Sequence, residues 1–354
     1  MKPKIAAVVV TFNRKKLLLE CLNALKSQNY PLDAIFIIDG PSTDGTPEAL
    51  KRAEYIKELP PKEYNEYSWL TENVIENSKG TPLRVVYVRL YEDVGGSGGF
   101  HEGVKRAYQE GYDWIWLMDD DAEPKEDALE KMLQYYNIFS LENTVALAPV
   151  VKCPDGNICL LHRGRISFET VYPTIQKPLA FKEYSTNHPI EIDFVSFVGP
   201  LINREAIKKV GFPRKEFFIH HDDVEYSIRL RKVGNIYLIP NSVIVHKVRE
   251  PKKVGLMQKK FMERTIYRVP YDKLWKTYYG YRNLTYLGKL YSTNKLTFYL
   301  EMLIRWALSI GGVILFDDYK FRRILFITSA YLDGLKGVFD NEKPKRILYG
   351  GKKK

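Results

Sequence analysis

The stretch WIWLMDDDAEP, Trp114 to Pro124, runs an unbroken apolar segment straight into three aspartates. Its first part reads as a buried strand, of the kind found in a parallel sheet covered on both faces. Adjacent carboxylates repel, so an acidic run at the end of a buried strand calls for a compensating charge. Side chains alternate along a strand, which puts Asp119 and Asp121 on one side and Asp120 on the other. Two hard oxygen ligands at a strand's carboxyl end suit Mg2+ or Mn2+, leaving other positions of the ion for phosphate oxygens and water. The plainer reading is a solvated turn that caps the helix KEDALEKMLQYY, 125–136.

On the amino-terminal side, IAAVVV (5–10), AIFIID (34–39) and LRVVYVRL (83–90) read as buried strands. Between them RKKLLLECLNALKSQ (14–28), TPEALKRAEYI (46–56) and GGFHEGVKRAYQEG (98–111) carry apolar residues at helical spacing. Thr46 and Pro47 supply a helix start. This alternation predicts an α/β fold with a mainly parallel sheet flanked by helices. The polar stretch 59–82 is expected to be an insertion, partly helical. After Asp121, TVALAPVVK (144–152) and ICLLHRGRISF (158–168) suggest an antiparallel excursion. IDFVSFVGPLINREAIKKVG (192–211) reads as strand, loop and helix, and NIYLIPNSVIVHK (235–247) as a closing strand pair.

These patterns place one domain over 1–250 and a basic, aromatic, helical region over 251–354. Within the latter, LTFYLEMLIRWALSIGGVILF (296–316) approaches transmembrane length, but Glu301 and Arg305 interrupt it. A spanning helix would bear the cost of both, whereas a pair four residues apart fits one polar face. The expectation is a core or membrane-surface helix, or an oligomer interface, with the nearby Lys and Arg suited to anionic lipid.

Hydrophobic residues make up 45% and charged residues 27%, as in a globular protein with a real core. Lys and Arg number 54 against 43 Asp and Glu, for a net charge of +11. That excess points to nucleic acid, an anionic membrane or phosphorylated substrates without choosing among them. Three cysteines, Cys21, Cys153 and Cys159, without a Cys-x-x-Cys, argue against a disulfide scaffold or zinc site and for a reducing, cytoplasmic setting. Cys153 and Cys159 flank the turn PDGNI and read as two small apolar residues facing across a hairpin. The N-terminal apolar run lacks a cleavage region and reads as a first strand.

Three further stretches carry chemistry. DVGGSGGFHEG (93–103) holds four glycines within five positions, so Gly96, Ser97, Gly98 and Gly99 can lie against a ligand and open a helix with free N–H groups. It follows the third strand rather than the first, so it is not a dinucleotide fingerprint, and no Walker sequence occurs. In FFIHHDDVEYSIRLRKVG (217–234), Asp222, Asp223, Glu225 and Arg229 fall at helical spacing and offer either a catalytic acid or an ordinary capped helix. His246 is an ordinary core histidine unless its strand ends beside the aspartates, where it would complete a metal shell.

Taken in order, VVVTFNR (8–14), IIDGPSTDGT (37–46), the glycine-rich loop, LMDDDAEP (117–124), VGPLINREAIKKVGF (198–212) and HDDVEYSIRLRKVG (221–234) resemble the family 2 glycosyltransferases, which have the GT-A fold. The likeness spans about residues 4–250, with a weaker echo in YYGYRN (278–283). GGSGGF, and DDVEY followed by a later His, look most like galactofuranosyltransferases, with rhamnosyltransferases close behind. The resemblance implies that Thr11, Asn13 and Arg14 line the nucleotide, with Asp120 beside it, and that Asp39 hydrogen-bonds a uracil or thymine ring. It implies Mn2+ or Mg2+ on Asp119 and Asp121 with His246 joining, and Asp223 as the base of an inverting transfer. Asp93 departs from the usual Asn before Val-Gly or Leu-Gly, which bears on donor identity. The implied partners are a nucleotide-sugar donor, UDP-galactofuranose first, then dTDP-rhamnose or another UDP-sugar, and a glycan or lipid-linked acceptor. A nucleic-acid-binding protein is disfavoured: no RRM, zinc-finger or helix-turn-helix signature occurs, and the acidic triplet repels phosphate. A nucleotidyltransferase would carry its glycine-rich loop where this chain has TFNRKK (11–16).

Overall fold

In the first third of the chain, apolar strands alternate with amphipathic helices as the sequence dictates: β1 (Ile5–Thr11), α1 (Lys15–Lys26), β2 (Ala34–Asp39) and α2 (Thr46–Arg52). The computed structural model describes residues 2–139, 141–247, 256–261 and 264–350. Then come β3 (Ser68–Glu76), β4 (Pro82–Leu90), α3 (Gly95–Gln109), β5 (Trp114–Asp119), β6 (Ala122–Pro124), α4 (Ala128–Ile138) and β7 (Thr144–Lys152). Short strands β8 (Arg163–Ile166), β9 (Gln176–Pro178), β10 (Ile190–Ile192), β11 (Phe194–Val195) and β12 (Leu201–Asn203) lead to α5 (Arg204–Val210), α6 (Asp222–Arg231) and β13 (Asn235–His246).

The main sheet runs β10-β13-β7-β12-β5-β1-β2-β4-β3, with β6 added on β13. Its centre, β4-β2-β1-β5, is parallel. Alternate residues of each strand feed two cores. Ile5, Ala7 and Val9 pack with Leu18, Leu22 and Leu25 of α1 and Met132 of α4. Ala6 and Val8 face Phe100, Val104 and Ala107 of α3, and the same core takes in Tyr226 and Leu230 of α6. Register pairs Thr11 with Asp39, Asp39 with Arg89, and Val10 with Asp119, so the polar strand ends share one carboxyl edge. In open α/β sheets that edge is where ligands bind.

Four expectations need correction. The stretch expected to be an insertion, partly helical, contains β3, paired antiparallel with β4 over its whole length. It is an edge strand with one partner, and Leu70 and Val74 stay exposed, so its alternation is weak in the sequence. Residues 144–152 form the expected antiparallel excursion only in part: β7 runs parallel to β13, but antiparallel to β12, which is wedged between β5 and β7, and Lys152 bridges Ile158 in the antiparallel sense. The expected closing pair is one strand, β13, whose pairing with β7 jumps between Ile239 and Val243, where Pro240 lacks an N–H for the ladder. Finally, Cys153 and Cys159 form a disulfide. The turn between them explains it: Gly156 sits at φ +83°, the Cys153 N–H donates to the Asn157 carbonyl at 2.8 Å, and the Cα atoms lie 5.5 Å apart, within disulfide reach.

The chain divides into two compact units, one comprising 1–165, 178–215 and 223–249, the other 166–177, 216–222 and 250–354. The second contains the hairpin β14 (Met257–Phe261) and β15 (Arg264–Arg268), then α7 (Trp275–Tyr291), α8 (Lys295–Phe316), α9 (Lys320–Lys336) and α10 (Lys343–Tyr349). Rings of α7 pack on α9, with Tyr278 5.2 Å from Phe326 and Tyr281 5.4 Å from Tyr331. In α8 Glu301 is not a free surface charge, because its Oε2 accepts from the Val171 N–H at 2.9 Å.

Candidate active site

Asp119 ends β5, Asp120 and Asp121 form the turn to β6, and the three carboxylates part company there. Asp120 turns toward β1, where Thr11 Oγ1 donates to its Oδ2 at 2.7 Å and Arg14 Nη1 reaches its Oδ1 at 3.3 Å. Asp119 and Asp121 gather with His246, and one ligand atom from each lies within 4.8 Å of the others. β6 makes this possible, because its antiparallel pairing sets His246 directly opposite Ala122, one residue past Asp121. His246 Nε2 lies 3.1 Å from Asp121 Oδ1, and Arg14 Nη1 donates to Asp121 Oδ2 at 2.7 Å.

Electrostatics separates the neighbours. Burial pushes the Asp120 carboxyl up to about 6, against the pull of Arg14 and Thr11. Burial acts the same way on Asp121, but His246 and then Arg14 outweigh it and hold that carboxyl below the ordinary carboxylate range. A carboxylate kept ionised, a second carboxylate and an imidazole form a donor set that fits a hard or borderline divalent cation. Asp121 Oδ1 supports the fit: it is buried, and beside it at 3.1 Å lies His246 Nε2, the third member of the donor set.

A second imidazole joins them. His162 ends a short 3-10 turn, Leu160–His162, and its ring meets that of His246 edge-on with centroids 5.0 Å apart. Its Nδ1 sits 2.7 Å from Ser196 Oγ, and burial, then Arg163 and His246, bring it down to about 3. The sequence offered no signal for it beyond a His within an apolar run. Arg163 is buried, giving its guanidinium to the carbonyls of Pro149, His162 and Val198. Burial lowers it to about 9, and Tyr184 and Asp223 pull the other way.

Asp223 lies in the first turn of α6, half-buried, with Oδ1 accepting from the Val224 N–H at 2.7 Å. Glu225 is fully buried and spent on ion pairs with Arg214 at 2.9 Å and Arg229 at 2.8 Å, so it is a structural acid.

The remaining expected ligand residues are placed less simply. Asn13, at φ +55°, accepts from the N–H groups of Thr43 and Asp44 through Oδ1 and so braces the loop after β2. Asp39 is fully buried, with Ser42 donating to Oδ1 at 2.6 Å and Tyr87 and Arg89 to Oδ2 at 2.7 and 2.9 Å. Both its oxygens thus have partners within the chain. The glycines fall inside the first turns of α3 rather than in a loop before it. A Cβ on Gly99 would come within 2.5 Å of Val10 Cγ1, and one on Gly98 within 2.6 Å of Val94 Cβ, so these two are set by packing. Gly96 faces open space, and Ser97 Oγ is buried without a hydrogen-bond partner among the described residues.

A family model described as glycosyl transferase family 2 matches residues 6–62 and 70–211. The chain belongs to glycosyl transferase family 2. The matched segments carry the carboxyl edge, the three aspartates and the glycine-rich start of α3. Among curated members, the galactofuranosyltransferase GlfT1 of Mycolicibacterium smegmatis is 27% identical over 232 residues, covering 65% of this chain and 66% of that protein. GlfT1 of Mycobacterium tuberculosis is 23% identical over 235 residues, with 66% of each chain covered. The chain thus spans 66% of the length of these relatives. Among solved structures, Staphylococcus aureus TarS in complex with UDP-GlcNAc superposes with a TM-score of 0.50 at 14% identity, covering 98% of this chain and 86% of that one. GalNAc-T7 with UDP, GalNAc and Mn2+ also gives 0.50 at 14% identity, covering 70% of this chain and 44% of that one. The fold of this family member is GT-A.

Proposed function

We propose that the chain transfers galactofuranose from UDP-galactofuranose to a hydroxyl of a glycan or lipid-linked acceptor, with inversion at the anomeric carbon. The observation that carries the reading is the gathering of Asp119, Asp121 and His246 at the carboxyl edge, with Arg14 paired to Asp121. The likeness to GlfT1 supports the choice of sugar.

A divalent cation held by Asp119, Asp121 and His246 would offset the charge that gathers on the departing diphosphate. Arg14 holds Asp121 through Oδ2 and would leave its Oδ1, beside His246, for such an ion. Ser97 Oγ, buried and unpartnered among the described residues at the start of α3, offers a hydroxyl to a bound phosphate or ribose beside helix N–H groups. Asp223 takes the acceptor's proton as the acceptor oxygen bonds to the anomeric carbon. The bond from that carbon to the diphosphate oxygen breaks, and its electron pair leaves with UDP. The carbon passes through an oxocarbenium-like state, and no covalent enzyme intermediate is needed.

Replacing Asp223 with Asn preserves size and removes basicity. UDP release from UDP-galactofuranose should fall about a hundredfold or more, while UDP affinity with Mn2+ stays near wild type. Wild-type turnover in Asp223→Asn would sink the base assignment. A panel containing dTDP-rhamnose and other UDP-sugars fixes the donor, and faster release from one of these would replace galactofuranose.

A further inference from the structure

The segment leading into α6 has an unusual backbone. Phe218, His220 and His221 have φ of +66°, +68° and +62°, three left-handed residues within four positions, none of them glycine. Such conformations are unfavourable for residues bearing a Cβ and persist only where the surroundings over-determine them. Here the determinant is a pair of adjacent side chains on α7. Asn283, fully buried, donates from Nδ2 to the carbonyls of Phe217 at 3.0 Å, Ile219 at 3.1 Å and His220 at 2.8 Å. Its Oδ1 accepts from Arg282 Nε at 2.9 Å. Arg282, also fully buried, sends Nη2 to the carbonyls of Glu216 and Phe217, each at 3.1 Å. The rings of Tyr279 and Phe339 flank its guanidinium, with centroids 5.1 and 4.8 Å away.

We infer that Arg282 and Asn283 are positioning residues for the transfer: they lock the left-handed loop 216–221 and thereby fix where the chain delivers the Asp222–Asp223 pair. The inference rests on Asp223 being the base. Ordinary packing does not call for this arrangement. Burying a guanidinium and an amide is costly unless the donors are used; Arg282 Nη1 donates to Asn341 Oδ1 at 3.0 Å, and Arg282 Nη2 and Asn283 Nδ2 go to four carbonyls of one short irregular segment. Only one residue separates the last clamped carbonyl, His220, from Asp222, so a shift of the loop passes to Asp223 with little chain to absorb it. Misplacement of a reacting group by about 1 Å is enough to lower turnover by about a hundredfold.

The test is a double-mutant cycle on the full chain with Mn2+ and UDP-galactofuranose, or whichever panel donor is turned over, following UDP release. Asn283→Ala should lower kcat by about 10- to 100-fold while donor KM and UDP affinity change less than about twofold. In an Asp223→Asn background, whose residual rate is read in long incubations, Asn283→Ala should cause no further loss, because the group it positions is already gone. Arg282→Lys keeps the charge between the rings but cannot span two carbonyls, and it provides the same cycle if Asn283→Ala does not fold. An undiminished kcat in the folded single variant, a loss that multiplies with that of Asp223→Asn, or UDP affinity falling in step with kcat would each overturn the inference. If Asp223→Asn alone keeps wild-type turnover, the base reading fails first, and that result is distinct from the other three.

Discussion

Asp121 serves two partners, with one oxygen on Arg14 and the other, buried, 3.1 Å from His246 Nε2. If that second oxygen is a metal ligand, Asp121→Asn should abolish detectable UDP release and weaken UDP binding by about tenfold or more with Mn2+ present, but not without it. Calorimetry in the two conditions decides this, and equal affinity of mutant and wild type at saturating Mn2+ refutes it. His246→Ala leaves two carboxylates, so its Mn2+ titration should move by a smaller factor; an unmoved titration makes His246 an ordinary core residue. The aspartates were legible because mutual repulsion of carboxylates at the end of an apolar strand is a local fact of one stretch. His162 was not legible. It reaches His246 only because β6 and β13 pair and the turn at 160–162 folds over them, and such contacts leave no trace in spacing.

At the scale of the element, α3 shows how one composition serves two purposes. A glycine run reads as a ligand loop, yet Gly99 and Gly103 are there so that a helix can lie directly on β1. A Cβ on Gly103 would meet Val8 Cγ1 at 2.3 Å and Ile38 Cγ1 at 3.0 Å. Gly103→Ala should therefore destabilise the fold by about 1–3 kcal/mol, as overpacking does, read as a lower denaturation midpoint. At Gly96 an added methyl group would meet nothing within 4 Å, and the helical backbone there accepts alanine. Gly96→Ala should be neutral or stabilise by up to about 1 kcal/mol, so any loss of UDP affinity in that variant would reflect ligand contact alone. Parallel strands buried on both faces announce themselves as apolar runs, which is why β1, β2, β4 and β5 were readable. β3 and the irregular β13 were not, because an edge strand keeps one polar face and a proline inside a long strand mimics a turn.

At the scale of the whole molecule, the second unit exposes an apolar face that its own helices leave uncovered. Along α8, Leu296, Leu300, Leu303, Ile304 and Leu308 follow helical spacing and are all exposed, Leu296 at 70%. Phe321 at the start of α9 is exposed at 79%. Lys295, Lys320 and Arg322 are exposed around the ends of this stripe. A helix with apolar residues outward and cations at its ends has the composition of one that lies in the headgroup region of an anionic bilayer. The chain should therefore sediment with phosphatidylserine-containing vesicles more than with neutral ones and release as salt is raised from about 0.1 to 1 M, over which the screening length falls from about 10 to 3 Å. Ile304→Glu with Leu308→Glu should cut vesicle binding by about tenfold or more, since both carboxylates would enter the apolar layer. UDP release in vesicle-free solution should be unchanged, because the carboxyl edge is built from other residues. If the double variant binds vesicles as wild type does, the face does not meet lipid. If instead wild type ignores vesicles and sediments as a dimer that the variant dissociates, the apolar stripe is matched by a second copy of the chain.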